Sequence, residues 1–140
     1  MPTLKRAPCA VIALVAVALS AAGCGLSVHS ADLFILKRSG QGHALTLLVS
    51  DGGTIRCDGA RPKPISDAML LQARDLADNL AKDAKAKLSL PPGPHSIYTY
   101  RVKLQDGTIS FADTSASVHH ELAAAELFAA QAAQGVCGPA

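Results

Sequence analysis

The sequence predicts an α+β fold: a two-layer sandwich with a four- to five-stranded antiparallel sheet, one long helix across it and a C-terminal helix. Two hairpin patterns with alternating apolar residues predict the sheet, and a long amphipathic pattern between them predicts the helix. The strand patterns are Asp32–Arg38, Ala44–Ser50, Thr54–Cys57 and Ile97–Leu104, with one more strand after the Asp106-Gly107 turn.

Turn composition predicts the register of both hairpins. A three-residue loop at Asp51–Gly53 pairs Val49 with Ile55, which keeps the apolar residues of both strands on one face. A two-residue loop at Asp106-Gly107 pairs Leu104 with Ile109 for the same reason. The segments 58–65 and 88–96 are rich in proline and are predicted as loops.

Spacing and capping residues predict the two helices. Ser66 is the predicted N-cap of the long helix, and Asp67 complements the dipole of its first turn. The apolar residues that recur at three- and four-residue steps are Leu70, Ala73, Ala77, Leu80 and Ala84. The alanine-rich segment Val118–Gln134 predicts a second helix that ends at Gly135.

An export signal precedes the predicted domain. Lys5 and Arg6 are followed by an apolar run from Cys9 to Ala22, and small residues precede Cys24. This segment resembles a bacterial lipoprotein signal, which implies a lipid, such as palmitate, on Cys24. The alternatives are an ordinary secretory signal and an uncleaved anchor, although a membrane span needs about 20 apolar residues and this run is shorter.

The chain therefore divides into a signal peptide at 1–23, a lipid-bearing tether at 24–31 and a single domain at 32–140. We expect the protein at the extracytoplasmic face of the bacterial cell membrane, anchored there by the lipid. Two of the 13 basic residues lie in the signal, so 11 remain against 11 acidic residues. This neutral balance argues against a nucleic-acid partner and against electrostatic capture by an anionic membrane.

Cys57 and Cys137 are the cysteines that remain for the domain once the signal is removed and Cys24 carries the lipid. An exported protein folds in an oxidising compartment, so we interpret the two as a disulfide. Two buried free thiols are the alternative. A zinc site is disfavoured because neither cysteine belongs to a CxxC motif or has a closely spaced histidine.

No pattern in the sequence predicts an enzyme, a cofactor or a metal site. The adjacent His119 and His120 would point about 100 degrees apart on a helix and cannot chelate one ion well. The remaining candidates are exposed loops, because stiff loops on a compact scaffold suit a protein-binding module. The candidate binding residues are Arg38, Ser39, Gly40, Gln41, Gly42, His43, Pro91, Pro92 and His95.

Several short motifs occur in a familiar order. They are Arg38-Ser39-Gly40 after the first strand, Ser66-Asp67 at the helix start, Leu90-Pro91, Tyr98-x-Tyr100-x-Val102 and Asp106-Gly107, before a closing helix. Over residues 33–133 this order resembles the emfourin family, small proteinaceous inhibitors of thermolysin-like metalloproteases. The resemblance implies a non-enzymatic module with a metalloprotease as its partner.

Three functions fit the sequence. The first is a membrane-anchored protein-binding module, with protease inhibition as its specific form. The second is a structural or envelope-maintenance lipoprotein that has no protease target. The third is a carrier of a small ligand, which requires an apolar cavity.

Overall fold

The computed structural model describes residues 32–138, so the predicted signal, the tether and Cys24 lie outside the described residues. The elements are β1 (Asp32–Gly40), β2 (His43–Ser50), β3 (Thr54–Cys57), β4 (Lys63–Pro64), α1 (Asp67–Lys85), β5 (Thr99–Leu104), β6 (Gly107–Ala112), α2 (Asp113–Ala116) and α3 (His120–Gln134). The strands form one antiparallel sheet in the order β4-β3-β2-β1-β5-β6. None of the helices in this range is long and apolar enough to cross a membrane.

The predicted α+β class is confirmed, and the sheet has one strand more than predicted. The extra strand β4 lies inside the segment 58–65, where the prediction of a loop without regular structure was wrong. Lys63 pairs with Ile55 and Pro64 with Thr54. Pro64 is tolerated because β4 is an edge strand, where a missing N–H breaks no ladder on the outer side.

One face of the sheet carries the core. Strand residues alternate between buried and exposed, and the helices α1 and α3 contribute to the same buried cluster. The largest fully buried side chains are Phe34, Phe111, Phe128, Leu36, Leu47, Ile55, Leu80, Ile109, Leu122, Val49 and Val102. Phe34 meets Phe128 of α3 edge-on with ring centroids 5.5 Å apart, which joins the helical layer to the centre of the sheet.

The opposite face, called the open face below, consists of the residues that alternate with these buried ones. On β5 they are Thr99, Arg101 and Lys103, all exposed. On β1 the exposed residues Lys37 and Ser39 lie on the same face, because Lys37 pairs with Arg101 and Ser39 with Thr99.

The predicted register of the first hairpin is confirmed. Val49 pairs with Ile55 and Leu47 with Cys57 across the loop Asp51–Gly53. The last glycine of this loop has φ +81°, in the left-handed region that such a loop requires.

The predicted register of the second hairpin was wrong by two residues. Leu104 pairs with Gly107, and Ile109 pairs with Val102 instead of Leu104. Gly107 therefore belongs to β6 and not to the turn. Its backbone lies against the end of α1, where an added Cβ would be 2.0 Å from the carbonyl oxygen of Ala84. Close packing on the helix therefore explains the glycine at this position.

The predicted helix start and the predicted disulfide are both confirmed. The Ser66 side chain accepts a hydrogen bond from the Met69 N–H at 3.2 Å, which is an N-cap. Cys57 and Cys137 form a disulfide with 5.7 Å between their Cα atoms. The bridge fixes the end of α3 to β3, because Cys137 follows the helix cap at Gly135.

Candidate binding surface

The two predicted binding loops lie side by side at the end of the sheet where β1 ends. Tyr98 Oη donates a hydrogen bond to Gln41 Oε1 at 3.1 Å. The Arg38 guanidinium lies 5.0 Å from the centroid of the Tyr98 ring, within cation–π range. A Cβ on Gly40 would be 2.2 Å from the Ile97 carbonyl oxygen, so the first loop approaches this closely only because it carries glycine there. The segments Gly40–His43 and Pro91–Ser96 are called the paired-loop surface below.

Hydrogen bonds to α2 hold the second loop in place. The Gly93 N–H donates to Ser96 Oγ at 3.0 Å and to Thr114 Oγ1 at 3.2 Å. The Asp113 carboxylate accepts from the N–H groups of Ile97 and Tyr98 at 2.9 and 3.1 Å. A loop with this many internal bonds loses little conformational freedom when it binds a partner.

The same hydrogen bonds set the ionisation of Asp113. Burial raises the pKa of this carboxyl, but the hydrogen bonds from the backbone of Ile97, Tyr98 and Thr114 outweigh burial and lower the pKa below its usual value. The carboxylate is therefore charged at neutral pH, when it accepts all of these bonds.

The predicted binding residues fall into three groups. Arg38 and Gln41 contact Tyr98, and Gly40 packs against Ile97. Ser39, Pro91 and Pro92 line a groove on the open face. Gly42, His43 and His95 are exposed on the paired-loop surface.

The groove has a volume of about 430 Å³ and borders the paired-loop surface. Its floor contains Lys37, Thr99, Arg101 and Ser110 of β1, β5 and β6. Its wall is the segment 89–92, which is held against β6 because the Leu90 N–H donates to the Ser110 carbonyl oxygen at 2.8 Å. Cations and hydroxyl groups on one floor can bind an anionic group.

On the helical side, Glu126 of α3 is the polar residue with an unusual environment. Its Oε1 is buried without a hydrogen-bond partner. Burial and then the nearby charge of Asp113 raise the pKa of Glu126 to about 7. Burial and then the negative charge of Glu126 raise the pKa of Tyr100 to about 12.

Replacing Glu126 with glutamine tests this environment. In the wild type, the unfolded chain loses the carboxyl proton near pH 4.5, whereas the folded chain keeps it until about pH 7. The stability of the wild type therefore falls across this window as pH rises, and then levels off. We expect Glu126→Gln to match the wild type at pH 4.5 and to be about 1–2 kcal/mol more stable at pH 8, a figure reduced for partial solvent exposure.

Urea unfolding at several pH values measures this difference. Glu121→Gln, on the exposed face of the same helix, is the matched control for the loss of a helix carboxylate. Parallel pH profiles of the wild type and Glu126→Gln would show that the Glu126 carboxyl does not titrate near neutrality.

Sequence reasoning missed four residues of this region. The polar segment Asp113–Ser117 predicts a connection without a helix, and this prediction was wrong because Asp113–Ala116 form α2, where the Asp113 carboxylate accepts from the N–H of Thr114. No pattern in the sequence brings Lys37, Arg101 and Ser110 together. Their meeting depends on the pairing of β1 with β5, which sequence periodicity does not give.

No three His, Cys, Asp or Glu side chains in residues 32–138 are grouped so as to hold a metal ion.

Comparison of the chain with protein-family models, curated proteins and solved structures finds no significant match. The resemblance to the emfourin family therefore stays a prediction.

Proposed function

We propose that this chain is an exported, lipid-anchored protein whose domain binds another protein, without catalysis, through the paired-loop surface. The observation that carries the proposal is the bonding at the base of the paired-loop surface. Gln41 of the first segment is bonded to Tyr98, two residues after the second segment, and the N–H groups of Ile97 and Tyr98 are bonded to Asp113. Preorganisation of this kind reduces the entropy cost of association.

The position of the tether agrees with this role. β1 starts at Asp32, directly after the predicted tether, and ends at the paired-loop surface. Nine extended residues span about 30 Å. A lipid on Cys24 would therefore hold one end of the domain at the membrane and leave the binding surface at the other end.

The specific form of the proposal is inhibition of a thermolysin-like metalloprotease. A recombinant chain that starts at residue 24 and carries Cys24→Ala contains the whole domain but cannot take the lipid. We expect it to inhibit such a protease stoichiometrically and to remain uncut, since stiff loops resist the local unfolding that cleavage requires. Residual activity is titrated against inhibitor concentration, and the chain is examined for cleavage by mass spectrometry.

Variants of the surface locate the binding site. We expect the double variant His43→Glu/His95→Glu to weaken inhibition at least tenfold, because two carboxylates are added to the exposed loops. His120→Glu, an exposed histidine on α3, is the matched control. Digestion of the domain, or no inhibition at micromolar concentration across metalloproteases and serine proteases, would favour an envelope-maintenance lipoprotein instead.

The anchoring is tested separately with Cys24→Ala in the full chain. We expect this variant to leave the membrane fraction or to keep its signal uncut, because the lipid attachment site is lost. Cell fractionation and the mass of the intact protein measure the outcome, with Cys9→Ala in the signal as the control. A wild-type protein that is wholly soluble and begins at another residue would refute the lipoprotein proposal.

A further inference from the structure

The open face of the sheet concentrates positive charge. Its exposed cations are Arg56, Lys37, Arg101 and Lys103. Asp32 and Asp58 stand at two corners, before the bulge of β1 and after the end of β3, and no carboxylate lies between them on the open face of the described strands. The helices α1 and α3 together carry six carboxylates and three lysines or arginines. The neutral net charge therefore conceals a separation of charge between the two layers.

Two of these cations face each other directly. Lys37 of β1 pairs with Arg101 of β5, and like charges directly opposite each other destabilise a sheet. The Arg74–Asp51 ion pair involves neither of them, and no carboxylate in residues 32–138 lies within ion-pair distance of Lys37 or Arg101. The carboxylate of Asp58 lies one strand away, where it accepts a hydrogen bond from the N–H of Thr46, the β2 partner of Lys37. A bound anion would supply negative charge directly at the pair.

The groove places hydrogen-bond donors around the same pair. Ser39, Thr99 and Ser110 line it, and the segment 89–92 forms its wall. The Thr99 hydroxyl donates to the Ser39 carbonyl oxygen at 3.5 Å, which leaves the hydroxyl groups of Ser39 and Ser110 as the further donors. Arginine binds a carboxylate through two parallel N–H donors, and hydroxyl groups supply further donors. The site is thus suited to a carboxylate on a chain that lies along the groove.

We propose that the groove binds an acidic, extended peptide segment of the protein partner. This inference rests on the proposed function and gives the chemistry of the partner. Arg101 and Lys103 are two residues apart on one strand, which separates their side chains by about 6.8 Å. Alternate carboxylates of an extended peptide have the same spacing. A Glu-x-Glu segment parallel to β5 that places one carboxylate at Arg101 in the groove therefore reaches Lys103, just outside the groove, with the other.

The shape of the groove favours a peptide over a membrane surface. A flat bilayer would meet Arg56 and Lys103 as readily as the Lys37–Arg101 pair, because all four cations lie on one face. The wall at 89–92 stands beside the pair and limits the approach of a flat surface to it. An extended chain enters between the wall and β1.

Binding of short labelled peptides to the recombinant chain with Cys24→Ala tests the proposal. The probe is Glu-Thr-Glu-Thr-Glu-Thr, and the matched control peptide is Gln-Thr-Gln-Thr-Gln-Thr. By fluorescence anisotropy we expect the acidic peptide to bind at least tenfold more tightly, and its affinity to fall as salt screens the charges. Tripolyphosphate and phosphatidylglycerol vesicles are the competing probes.

Charge reversal at the groove is compared with charge reversal elsewhere on the open face. We expect Arg101→Glu to weaken peptide binding about tenfold or more, since a hydrogen bond to a charged group is lost. Arg56→Glu, outside the groove, is the control and should change the affinity less than twofold. Arg101→Glu should fold with undiminished stability, because the replacement carboxylate lies opposite Lys37.

Four outcomes would overturn the proposal. Two concern the probes: equal affinity for the two peptides, or a higher affinity for tripolyphosphate than for the acidic peptide. Two concern the variants: vesicle binding that Arg56→Glu weakens as much as Arg101→Glu does, or a loss of stability in Arg101→Glu. The protease titration with the His43→Glu/His95→Glu variant is independent of these measurements. If the acidic peptide does not bind the groove but the protease is still inhibited, only the inference about the groove is refuted. If the peptide binds but the protease is not inhibited, only the inhibitory function is refuted.

Discussion

Without the disulfide, the domain is expected to lose about 3–4 kcal/mol of stability. Cys57 and Cys137 are 80 residues apart in sequence, so the bridge closes a long loop and restricts the unfolded chain strongly. It also joins the end of α3 to β3, near the short edge strand β4. The double variant Cys57→Ala/Cys137→Ala should therefore show a lower midpoint of urea unfolding than the wild type.

A reductant provides the control for this experiment. Dithiothreitol should lower the midpoint of the wild type toward that of the double variant and leave the double variant itself unchanged. In the wild type, Cys57 and Cys137 should resist thiol labelling until the reductant is added. A wild-type midpoint that is insensitive to reductant would show that the bridge does not stabilise the fold.

Replacing Gly107 with alanine is expected to cost about 3 kcal/mol, the upper range for an overpacked site. The added Cβ would be 2.0 Å from the Ala84 carbonyl oxygen, a backbone atom that can move only if the end of α1 moves. Thermal and urea unfolding of the variant measure the loss of stability.

Gly52→Ala is the matched control, because its Cβ would be 3.5 Å from Ser50 Oγ, an ordinary contact. We expect that variant to unfold within about 0.5 kcal/mol of the wild type. Equal stability of the two variants would mean that the end of α1 moves away from the added methyl group without loss of stability, and that glycine is not required at position 107.

Gly107 also shows how far sequence reasoning reaches in this fold. Alternation of apolar residues predicts which face of β5 and β6 is buried, and that prediction is right in either register. A shift of two residues keeps every side chain on its face, so alternation cannot distinguish a Leu104–Ile109 pair from a Val102–Ile109 pair. The deciding contact, between β6 and the end of α1, is tertiary.

The first hairpin was predictable because its turn and its apolar pattern agree on one register. Pairing Val49 with Ile55 satisfies both the three-residue loop and the buried face. In contrast, β4 is two residues long and is held by the neighbouring strand, so its own sequence predicts a loop.

The candidate site was predictable only in part. Loop composition indicated Ser39, Pro91 and Pro92, which do line the groove. Lys37 and Arg101 lie 64 positions apart in sequence, and only the insertion of β1 between β2 and β5 makes them neighbours. Strand order is a global property, so residue patterns within each strand cannot reveal such a pair.

The central position of β1 has a mechanical consequence for a tethered domain. β1 is hydrogen-bonded to β2 on one side and to β5 on the other, and its first residue follows the predicted tether. A force between the tether and a partner held at the far end of β1 would act along the strand. It would strain both ladders in shear, with many hydrogen bonds sharing the force at once, instead of peeling an edge strand away one bond at a time.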